Sequence, residues 1–350
     1  MEMKRKEGTH VNYKQAMIDT DTIRTAYYRS GEGKPQKLLV LHGNYSSSVF
    51  FMPLMPGLED RYDIAVPDLR CFGHSEARPI DATRGYRDWS DDVYAFCKAI
   101  GWERFLLLGW SMGGDIAMQF CTDHPGMVEK LVLVAPGSPY GFGGTKDEKG
   151  TPHVPIGLGS GAGTANPMLT FSGMMGDTQF IRRIMNEYLF KAPFRMNPEW
   201  EEQFVQTISS VKVGYDFYPG NYQATWKWPY VVAGDKGVLN TMSPRYGNLS
   251  AFLDVEPKPP VLWIRGDADQ IVSDRSMLEF GNLGRIGLIP GWPGEKEYPP
   301  QPMVKQTRYF LEQYKARGGA YIELEIPGGH VCILESPLQF ITALDTFAAI

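Results

Sequence analysis

A serine flanked by glycines lies where an apolar strand pattern changes into a helical pattern. The stretch GWSMG at 109–113 follows the apolar run 105–108, which is typical of a strand buried on both faces. After Ser111, apolar residues recur at helical spacing until HPG at 124–126, which predicts the end of the helix. Glycine and serine also occur in ordinary turns, but a strand-to-helix turn of this kind exposes a nucleophile. Ser111 is therefore a candidate nucleophile that needs partners.

Two later segments contain the base and the carboxylate that a serine nucleophile requires. His330 follows the strand pattern at 321–327 through two glycines, so we expect it at the same sheet edge as Ser111. Asp267 and Asp269 lie just past another buried strand pattern, where a carboxylate can hold the histidine tautomer. Each residue alone also fits ordinary loop or helix-cap chemistry. The order serine, aspartate, histidine along the chain predicts a catalytic triad.

Backbone amides are expected to stabilise the oxyanion that forms at an attacked carbonyl. Met112 directly follows the nucleophile at the head of the predicted helix, where the helix dipole favours negative charge. The second donor is expected after the strand pattern 37–42, where Gly43 lets the chain turn closely and Asn44 points its N–H inward. Three residues next to Ser111 and the expected donors are predicted to contact the substrate: Gly43, Tyr45 and Trp110.

Composition and charge argue against several classes of function. The 350 residues carry 35 basic and 40 acidic side chains, a net charge of −5, which disfavours nucleic acid as the main partner. No apolar run approaches the length of a membrane span, and the polar first residues lead into no secretory signal. The four cysteines lack metal-binding spacing and are typical of free thiols. We expect a cytoplasmic protein that needs no metal or other cofactor; a homo-oligomer is compatible with the sequence.

Apolar strands, glycine-bearing loops and helices alternate along the chain, as in a parallel sheet with helices on both faces. Strands are predicted at 37–42, 63–67, 105–108 and 130–136, a helix at 86–100, and a hairpin over 10–30. The alternation breaks after residue 136 and resumes near 260. This predicts a core of residues 1–136 and 259–350, and a cap of residues 137–258 over the carboxyl edge of the sheet. Within the cap, helices are predicted near 178–190 and 199–213.

Taken in order, the motifs resemble those of α/β-hydrolase-fold enzymes. They are HGN at 42–44, DLRCFGHS at 68–75, GWSMGG at 109–114, GDADQIV at 266–272 and GH at 329–330. The resemblance implies an α/β-hydrolase fold, with a largely helical cap inserted after the sixth strand. It also implies Asp269, rather than Asp267, as the carboxylate of a triad with Ser111 and His330.

One residue departs from the pattern of that family. Cys71 occupies a position that is usually glycine in the loop 68–75. If this position has a positive φ, the cysteine is strained; otherwise the loop has shifted. We assign no catalytic role to Cys71, and we expect Cys332, two residues past His330, to serve packing.

The resemblance also narrows the reaction. Relatives with aspartate at the nucleophile position cleave epoxides or carbon–halogen bonds, and the serine here excludes both. What is left is acyl transfer to water, with Ser111 as nucleophile and His330 as proton shuttle. We expect a carboxylic-ester or lactone hydrolase. Two alternatives stay open: a serine-dependent hydrolase of a carbon–carbon bond in a diketone-like substrate, and a ligand sensor with slow turnover.

The cap is expected to select the substrate, a small and mainly apolar carbonyl compound. Basic and acidic side chains are equal in number over 137–258, so the sequence indicates no selection by charge. The segment 215–230 is rich in aromatic residues, which favours a core within the cap, an apolar pocket, or both at once. A second segment, 282–302, is rich in glycine and proline and too long for a routine connection. This segment fits two places equally: the mouth of the active site and a contact between subunits.

Overall fold

The computed structural model describes residues 13–350, which form twelve strands and ten α-helices. The strands are β1 (Ala16–Asp19), β2 (Arg24–Ser30), β3 (Gln36–Leu41), β4 (Tyr62–Pro67), β5 (Phe105–Trp110), β6 (Val128–Val134), β7 (Val213–Gly214), β8 (Tyr218–Pro219), β9 (Tyr222–Ala224), β10 (Val231–Ala233), β11 (Val261–Gly266) and β12 (Tyr321–Ile326). The helices are α1 (Arg87–Ala99), α2 (Met112–Asp123), α3 (Pro167–Met175), α4 (Thr178–Tyr188), α5 (Pro198–Ser209), α6 (Val238–Thr241), α7 (Phe280–Arg285), α8 (Met303–Ala316), α9 (Cys332–Glu335) and α10 (Pro337–Ala349). Within this part of the chain, no helix has the length and apolar character to cross a bilayer.

Eight strands form one sheet in the order β1-β2-β4-β3-β5-β6-β11-β12. β1 and β2 form the predicted hairpin, with Asp19 opposite Arg24; residues 10–12 of that prediction lie outside the described residues. β2 pairs antiparallel with β4, and the pairings from β4 to β12 are parallel. The mostly parallel sheet is therefore confirmed. Its parallel order brings the carboxyl ends of β5, β11 and β12 to one edge.

Apolar clusters cover both faces of this sheet. Along β3, Leu38 and Val40 pack into one cluster, while Leu39 and Leu41 pack into the other, as the two-residue period of a strand requires. Residues of α1, α2 and α8 complete the cluster on the Leu39 side. Residues of α4, α5 and α10 complete the other. Helices on both faces thus explain the continuous apolar runs of these strands.

The chain between β6 and β11 contains the predicted cap. α4 and α5 lie where the helical patterns predict helices, and α3, α6 and four short strands accompany them. α5 packs directly on the core, because Phe204 stacks on Phe50 with ring centroids 4.1 Å apart. The proposed boundaries of the cap, at 136/137 and 258/259, stay a prediction.

The aromatic segment 215–230 is divided between the interior and the surface. Tyr218 and Trp228 are buried. Four others are exposed: Tyr215, Tyr222, Trp226 and Tyr230. The segment therefore forms neither one core nor one continuous pocket lining.

The glycine- and proline-rich segment 282–302 packs against the chain between β6 and β11. The Trp228 indole donates to the Pro290 carbonyl at 2.9 Å. The Tyr298 hydroxyl donates to the Leu158 carbonyl at 3.0 Å. Leu158, Trp228 and Tyr298 share a small apolar cluster. These contacts identify the segment as a support for the cap region.

Candidate active site

Ser111 lies on a sharp turn between β5 and α2. Its backbone has φ 55° and ψ −128°, a conformation that side chains rarely adopt and that stores strain. The Ser111 amide donates to the Val134 carbonyl at 2.9 Å, which ties the turn to β6. Gly113 permits the turn, because a Cβ there would lie 2.4 Å from the Leu41 carbonyl oxygen. The candidate nucleophile thus has the strand, turn and helix that the motif requires.

His330 and Asp269 meet on the loops that follow β12 and β11. Nδ1 of His330 lies 2.8 Å from Oδ2 of Asp269, and both side chains are buried. The second carboxylate oxygen of Asp269 accepts hydrogen bonds from the amides of Ile271, at 2.7 Å, and Val272, at 3.0 Å. These amides fix the carboxylate, which in turn holds the proton on Nδ1 of the histidine. Nε2 is then the nitrogen that can accept a proton.

Asp267, the other carboxylate in this loop, has different partners. Its Oδ2 lies 2.7 Å from Nζ of Lys191, and its Oδ1 accepts a hydrogen bond from the Gly328 amide at 3.0 Å. The Lys191 hydrogen bond, followed by the Gly328 amide, lowers the pKa of Asp267. Asp269, the residue that the resemblance implies, is the carboxylate that contacts His330.

Trp110 links the turn of the nucleophile to the histidine loop. Its indole N–H donates to the His330 carbonyl at 2.9 Å, and its ring stacks on Phe50. Trp110 is buried, so it positions His330; its predicted contact with the substrate stays a prediction.

Among residues 13–350 the Ser111 hydroxyl has no hydrogen-bond partner. In serine hydrolases without substrate, the hydrogen bond between the serine hydroxyl and the histidine is often long or poorly aligned, and it tightens when substrate binds.

The loop after β3 approaches Ser111, the candidate nucleophile, closely. A Cβ at Gly43 would lie 2.9 Å from Cβ of Ser111, so the approach depends on the missing side chain of Gly43. Asn44 follows directly in the chain. Met112 is the fully buried first residue of α2, and its amide belongs to those that have no acceptor inside the helix. The amides of Asn44 and Met112 stay the predicted oxyanion donors.

His42 anchors this loop, a role that its position in the sequence does not predict. Its Nε2 accepts a hydrogen bond from the Leu69 amide at 2.9 Å, and its Nδ1 donates to the Gly43 carbonyl at 2.8 Å. Burial lowers the pKa of His42 to about 4, so the ring is neutral near pH 7. The signal in the sequence is the HGN motif itself, whose histidine serves positioning.

The loop 68–75 contains the departure from the family pattern. Cys71 has φ 73°, so the cysteine occupies a conformation that favours glycine. Its thiol is buried and donates to the Arg78 carbonyl at 3.2 Å. Burial raises the pKa of the Cys71 thiol to about 12. The cysteine is therefore strained, as expected for an unshifted loop, and is a poor nucleophile. Cys332 is fully buried, which fits packing.

The C-terminal end of α4 and the residue that follows it bind the two loops that carry Asp269 and His330. The Gln270 side chain donates to the Glu187 carbonyl at 3.0 Å. The Val331 amide donates to the Leu189 carbonyl at 3.2 Å. The position of this helix end is thus coupled to the positions of both loops.

Tyr45 extends from the loop after β3 towards α3. Its hydroxyl donates to the Leu169 carbonyl at 3.3 Å, and its ring packs on Tyr218 with centroids 4.7 Å apart. Burial raises the pKa of Tyr45 to about 12, so the phenol stays protonated. The predicted substrate contact of Tyr45 stays a prediction. Tyr218, which belongs to the aromatic segment 215–230, lies next to this loop through its contact with Tyr45.

Comparison with known proteins agrees with this architecture. A family model described as alpha/beta hydrolase fold matches residues 37–300. The soluble epoxide hydrolase of a Corynebacterium species is 30% identical over 127 residues, which are 36% of this chain and 42% of that protein. The 2-hydroxymuconate semialdehyde hydrolase of a Pseudomonas species is 35% identical over 115 residues, 32% of this chain and 40% of that protein. The chain thus spans less than half the length of these curated relatives.

Solved structures align over nearly the whole chain. An esterase from a Rhodococcus species is 18% identical, with a TM-score of 0.60, covering 96% of this chain and 98% of that one. The enol-lactonase from Burkholderia xenovorans is 14% identical, with a TM-score of 0.56, covering 96% of this chain and 100% of that one. At these identities the likeness concerns the fold.

Proposed function

The chain belongs to the α/β-hydrolase-fold family, and from this premise we propose that it is a serine hydrolase that cleaves a carboxylic ester or lactone. The observation that carries the proposal is the buried hydrogen bond of 2.8 Å between His330 Nδ1 and Asp269 Oδ2. Ser111, on its strained turn at the same sheet edge, supports the role of nucleophile. The esterases and the enol-lactonase among the structures of similar fold support the substrate class.

In the proposed acylation, Ser111 Oγ attacks the carbonyl carbon while His330 Nε2 takes the hydroxyl proton. The carbonyl electrons move onto oxygen, and the amides of Asn44 and Met112 donate hydrogen bonds to this oxyanion. The Asp269 carboxylate stabilises the imidazolium. When the tetrahedral intermediate collapses, the bond to the alkoxide breaks and His330 returns the proton to the leaving oxygen.

In the proposed deacylation, water takes the place of the alcohol. His330 Nε2 removes a proton from water, whose oxygen attacks the acyl-enzyme carbonyl. The second intermediate collapses, the carboxylic acid leaves, and Ser111 recovers its proton from the imidazolium. With a lactone, the alcohol and the acid leave as one molecule, a hydroxy acid.

The test is hydrolysis of p-nitrophenyl esters from acetate to decanoate, with Ser111→Ala as the matched variant. We expect the variant to lose at least about 10³-fold in kcat. The acyl chain length that is hydrolysed fastest then indicates the size of the acyl pocket. If a folded protein hydrolyses none of these esters, although a fluorophosphonate labels Ser111, the ester or lactone proposal is wrong.

A second candidate function is hydrolysis of a carbon–carbon bond in a diketone-like substrate. The observation that favours it is the 35% identity with a 2-hydroxymuconate semialdehyde hydrolase. Incubation with a vinylogous 1,5-diketone, followed by chromatography of the two fragments, separates this activity from ester cleavage. A protein that binds these compounds with slow or no turnover is instead a sensor.

The proposed substrate is small and mainly apolar, and we propose no nucleic-acid or membrane partner. A cytoplasmic location is part of the same proposal, supported by four cysteines that are free and buried, as in a reducing compartment. Fractionation of the source cells tests the location. Sedimentation velocity tests whether the protein is a homo-oligomer.

A further inference from the structure

The backbone that carries His330 begins with two glycines. Gly328 and Gly329 connect β12 to the histidine, and glycine has more conformational freedom than any other residue. The hydrogen bond between the imidazole and Asp269 orients the ring, but it does not fix the backbone. The position of the candidate base therefore depends on the contacts that hold the base loop, residues 327–331.

The side chain of Glu335 accepts a hydrogen bond from the base loop. Glu335 is the partly buried last residue of α9, and its Oε2 accepts from the Gly329 amide at 2.6 Å. A hydrogen bond to a carboxylate is roughly twice as strong as one between neutral groups. Because Gly329 directly precedes His330, this bond holds the backbone one residue from the candidate base.

The other oxygen of the same carboxylate binds the segment 189–191, which follows α4. Oε1 of Glu335 accepts a hydrogen bond from the Lys191 amide at 2.8 Å. The two backbones also lie against each other. A Cβ at Gly329 would lie 2.7 Å from the Leu189 carbonyl oxygen and 2.9 Å from the Lys191 nitrogen. One carboxylate thus joins the base loop to the segment 189–191, with one backbone amide on each of its oxygens.

From this arrangement we propose that Glu335 is a positioning residue for His330. Its carboxylate holds the base loop on the segment 189–191 and so fixes the imidazole relative to Ser111. The inference rests on the proposed function, because it concerns the base of that reaction. The role requires a carboxylate. A carboxamide has a single acceptor oxygen, and its NH₂ group would face the second backbone N–H.

The test compares two replacements of a carboxylate by a carboxamide beside the same loop. Glu335→Gln keeps the size of the side chain but can accept from only one of its two backbone partners. Asp267→Asn is the matched control, because Asp267 accepts one hydrogen bond from the base loop, that of the Gly328 amide. The oxygen that asparagine retains can keep that bond.

The first readout is hydrolysis of the best p-nitrophenyl ester. Burial raises the pKa of Glu335, so the assay is run at about pH 8 to keep the carboxylate ionised. We expect Glu335→Gln to lower kcat by about tenfold to 10²-fold, because small displacements of a reacting group have effects of this size. KM should change by less than about twofold, since the base does not bind the ester. Asp267→Asn should keep both constants.

The second readout is the proton on Nδ1 of His330, which a purely structural role of Glu335 would not affect. A proton in a short, charge-assisted hydrogen bond resonates at low field in the NMR spectrum. We expect this resonance to broaden or move upfield in Glu335→Gln and to stay in place in Asp267→Asn. A reduced kcat with an unchanged resonance would overturn the inference, because the base would then be where it was.

Hydrogen exchange tests the two bonds of Glu335 without any turnover. In Glu335→Gln the amide of Gly329 or of Lys191 should exchange at least about tenfold faster than in the wild type. If the variant does not fold, the wild type decides. Similar protection of both amides supports a shared acceptor, and a Gly329 amide that exchanges as in an unstructured chain overturns it.

The outcomes separate this inference from the proposed function. An unchanged kcat in Glu335→Gln, with turnover that depends on Ser111, overturns the inference and leaves the hydrolase proposal intact. If no ester is hydrolysed, the proposed function fails, and the rate at which a fluorophosphonate labels Ser111 decides the inference. Labelling needs an activated serine but no ester. Slower labelling of Glu335→Gln than of Asp267→Asn supports the inference, and equal rates overturn it.

Discussion

Nδ1 of His330 and Oδ2 of Asp269 lie 2.8 Å apart, and only 3% and 4% of the two side chains are exposed. In such a position a carboxylate stabilises positive charge on the imidazole more strongly than in water, since the effective dielectric constant is lower. A buried carboxylate needs further hydrogen bonds, and the amides of Ile271 and Val272 provide them. The contact therefore supports a base whose tautomer and orientation are set before substrate arrives.

We expect Asp269→Asn to lower kcat by about 10³- to 10⁴-fold, because an amide favours the wrong tautomer of His330. The measurement is hydrolysis of the best p-nitrophenyl ester. Asp267→Asn is the control, since that carboxylate pairs with Lys191; it should keep kcat within about twofold. A larger loss in Asp267→Asn than in Asp269→Asn would show that the acid is assigned to the wrong residue.

Gly43→Ala tests how closely the proposed oxyanion loop, which follows β3, approaches Ser111. The added Cβ would lie 2.9 Å from Cβ of Ser111, so the loop or the serine has to shift. Since small displacements of reacting groups cost about 10²-fold, we expect a loss of at least about that size in kcat. Steady-state hydrolysis measures it, and the melting temperature shows whether the variant folds.

Gly57→Ala is the matched control for Gly43→Ala. Its Cβ would lie 2.6 Å from Cδ1 of Ile341, the flexible end of a side chain. That contact can be relieved by rotation, so kcat should be unchanged. A folded Gly43→Ala protein with normal kcat would contradict the proposed geometry of the oxyanion loop.

The triad candidates are readable from sequence because they rest on local features. Ser111 lies between glycines at a change from strand to helical pattern, and chain order places Asp269 and His330 after it. The choice between Asp267 and Asp269 is different. Lys191, which pairs with Asp267, is 76 residues away in the chain. No local pattern contains that contact, so from the sequence only the resemblance to the family favours Asp269.

The surroundings of the site are less predictable. Apolar residues usually indicate burial, but α3 leaves Phe171, Met174 and Met175 exposed. The apolar pattern of α3 therefore does not indicate which face of the helix is buried. The support of the cap region by 282–302 depends on Tyr298 reaching Leu158, which is 140 residues away. Tertiary contacts of this kind decide where irregular segments lie, and composition alone does not encode them.

Cys71 tests the energetic effect of a positive φ. At φ 73° alanine keeps the backbone strain, while glycine removes it. We expect the free energy of unfolding of Cys71→Gly to be about 1 kcal/mol higher than that of Cys71→Ala, although alanine buries more apolar surface. Urea denaturation of the two variants gives the comparison.

Cys97 provides the opposite case within the same cluster. It is buried in the last turn of α1, where the backbone is still helical and glycine costs up to about 1 kcal/mol relative to alanine. Cys97→Ala should therefore be more stable than Cys97→Gly. The same order at both positions, with alanine more stable, would mean that the backbone at Cys71 is not strained.

His153 predicts how stability depends on pH. Its ring stacks on Tyr298 with centroids 3.9 Å apart, and its Nε2 is buried without a partner among residues 13–350. Burial, together with the charge of Lys146, lowers the pKa of His153 from 6.5 to about 4. Between these values the unfolded chain binds a proton that the folded protein does not bind. The free energy of unfolding therefore decreases as the pH falls through this window.

His153→Phe keeps a ring on Tyr298 and removes the titrating group. We expect the variant to gain stability over the wild type as the pH falls from about 6.5 to about 4.5, with a smaller difference above that window. Urea denaturation across this range measures the gain. His74→Gln, which changes an exposed histidine, should parallel the wild type. If the His153→Phe curve also runs parallel to the wild type, the ring of His153 titrates in the folded protein as it does in the unfolded chain.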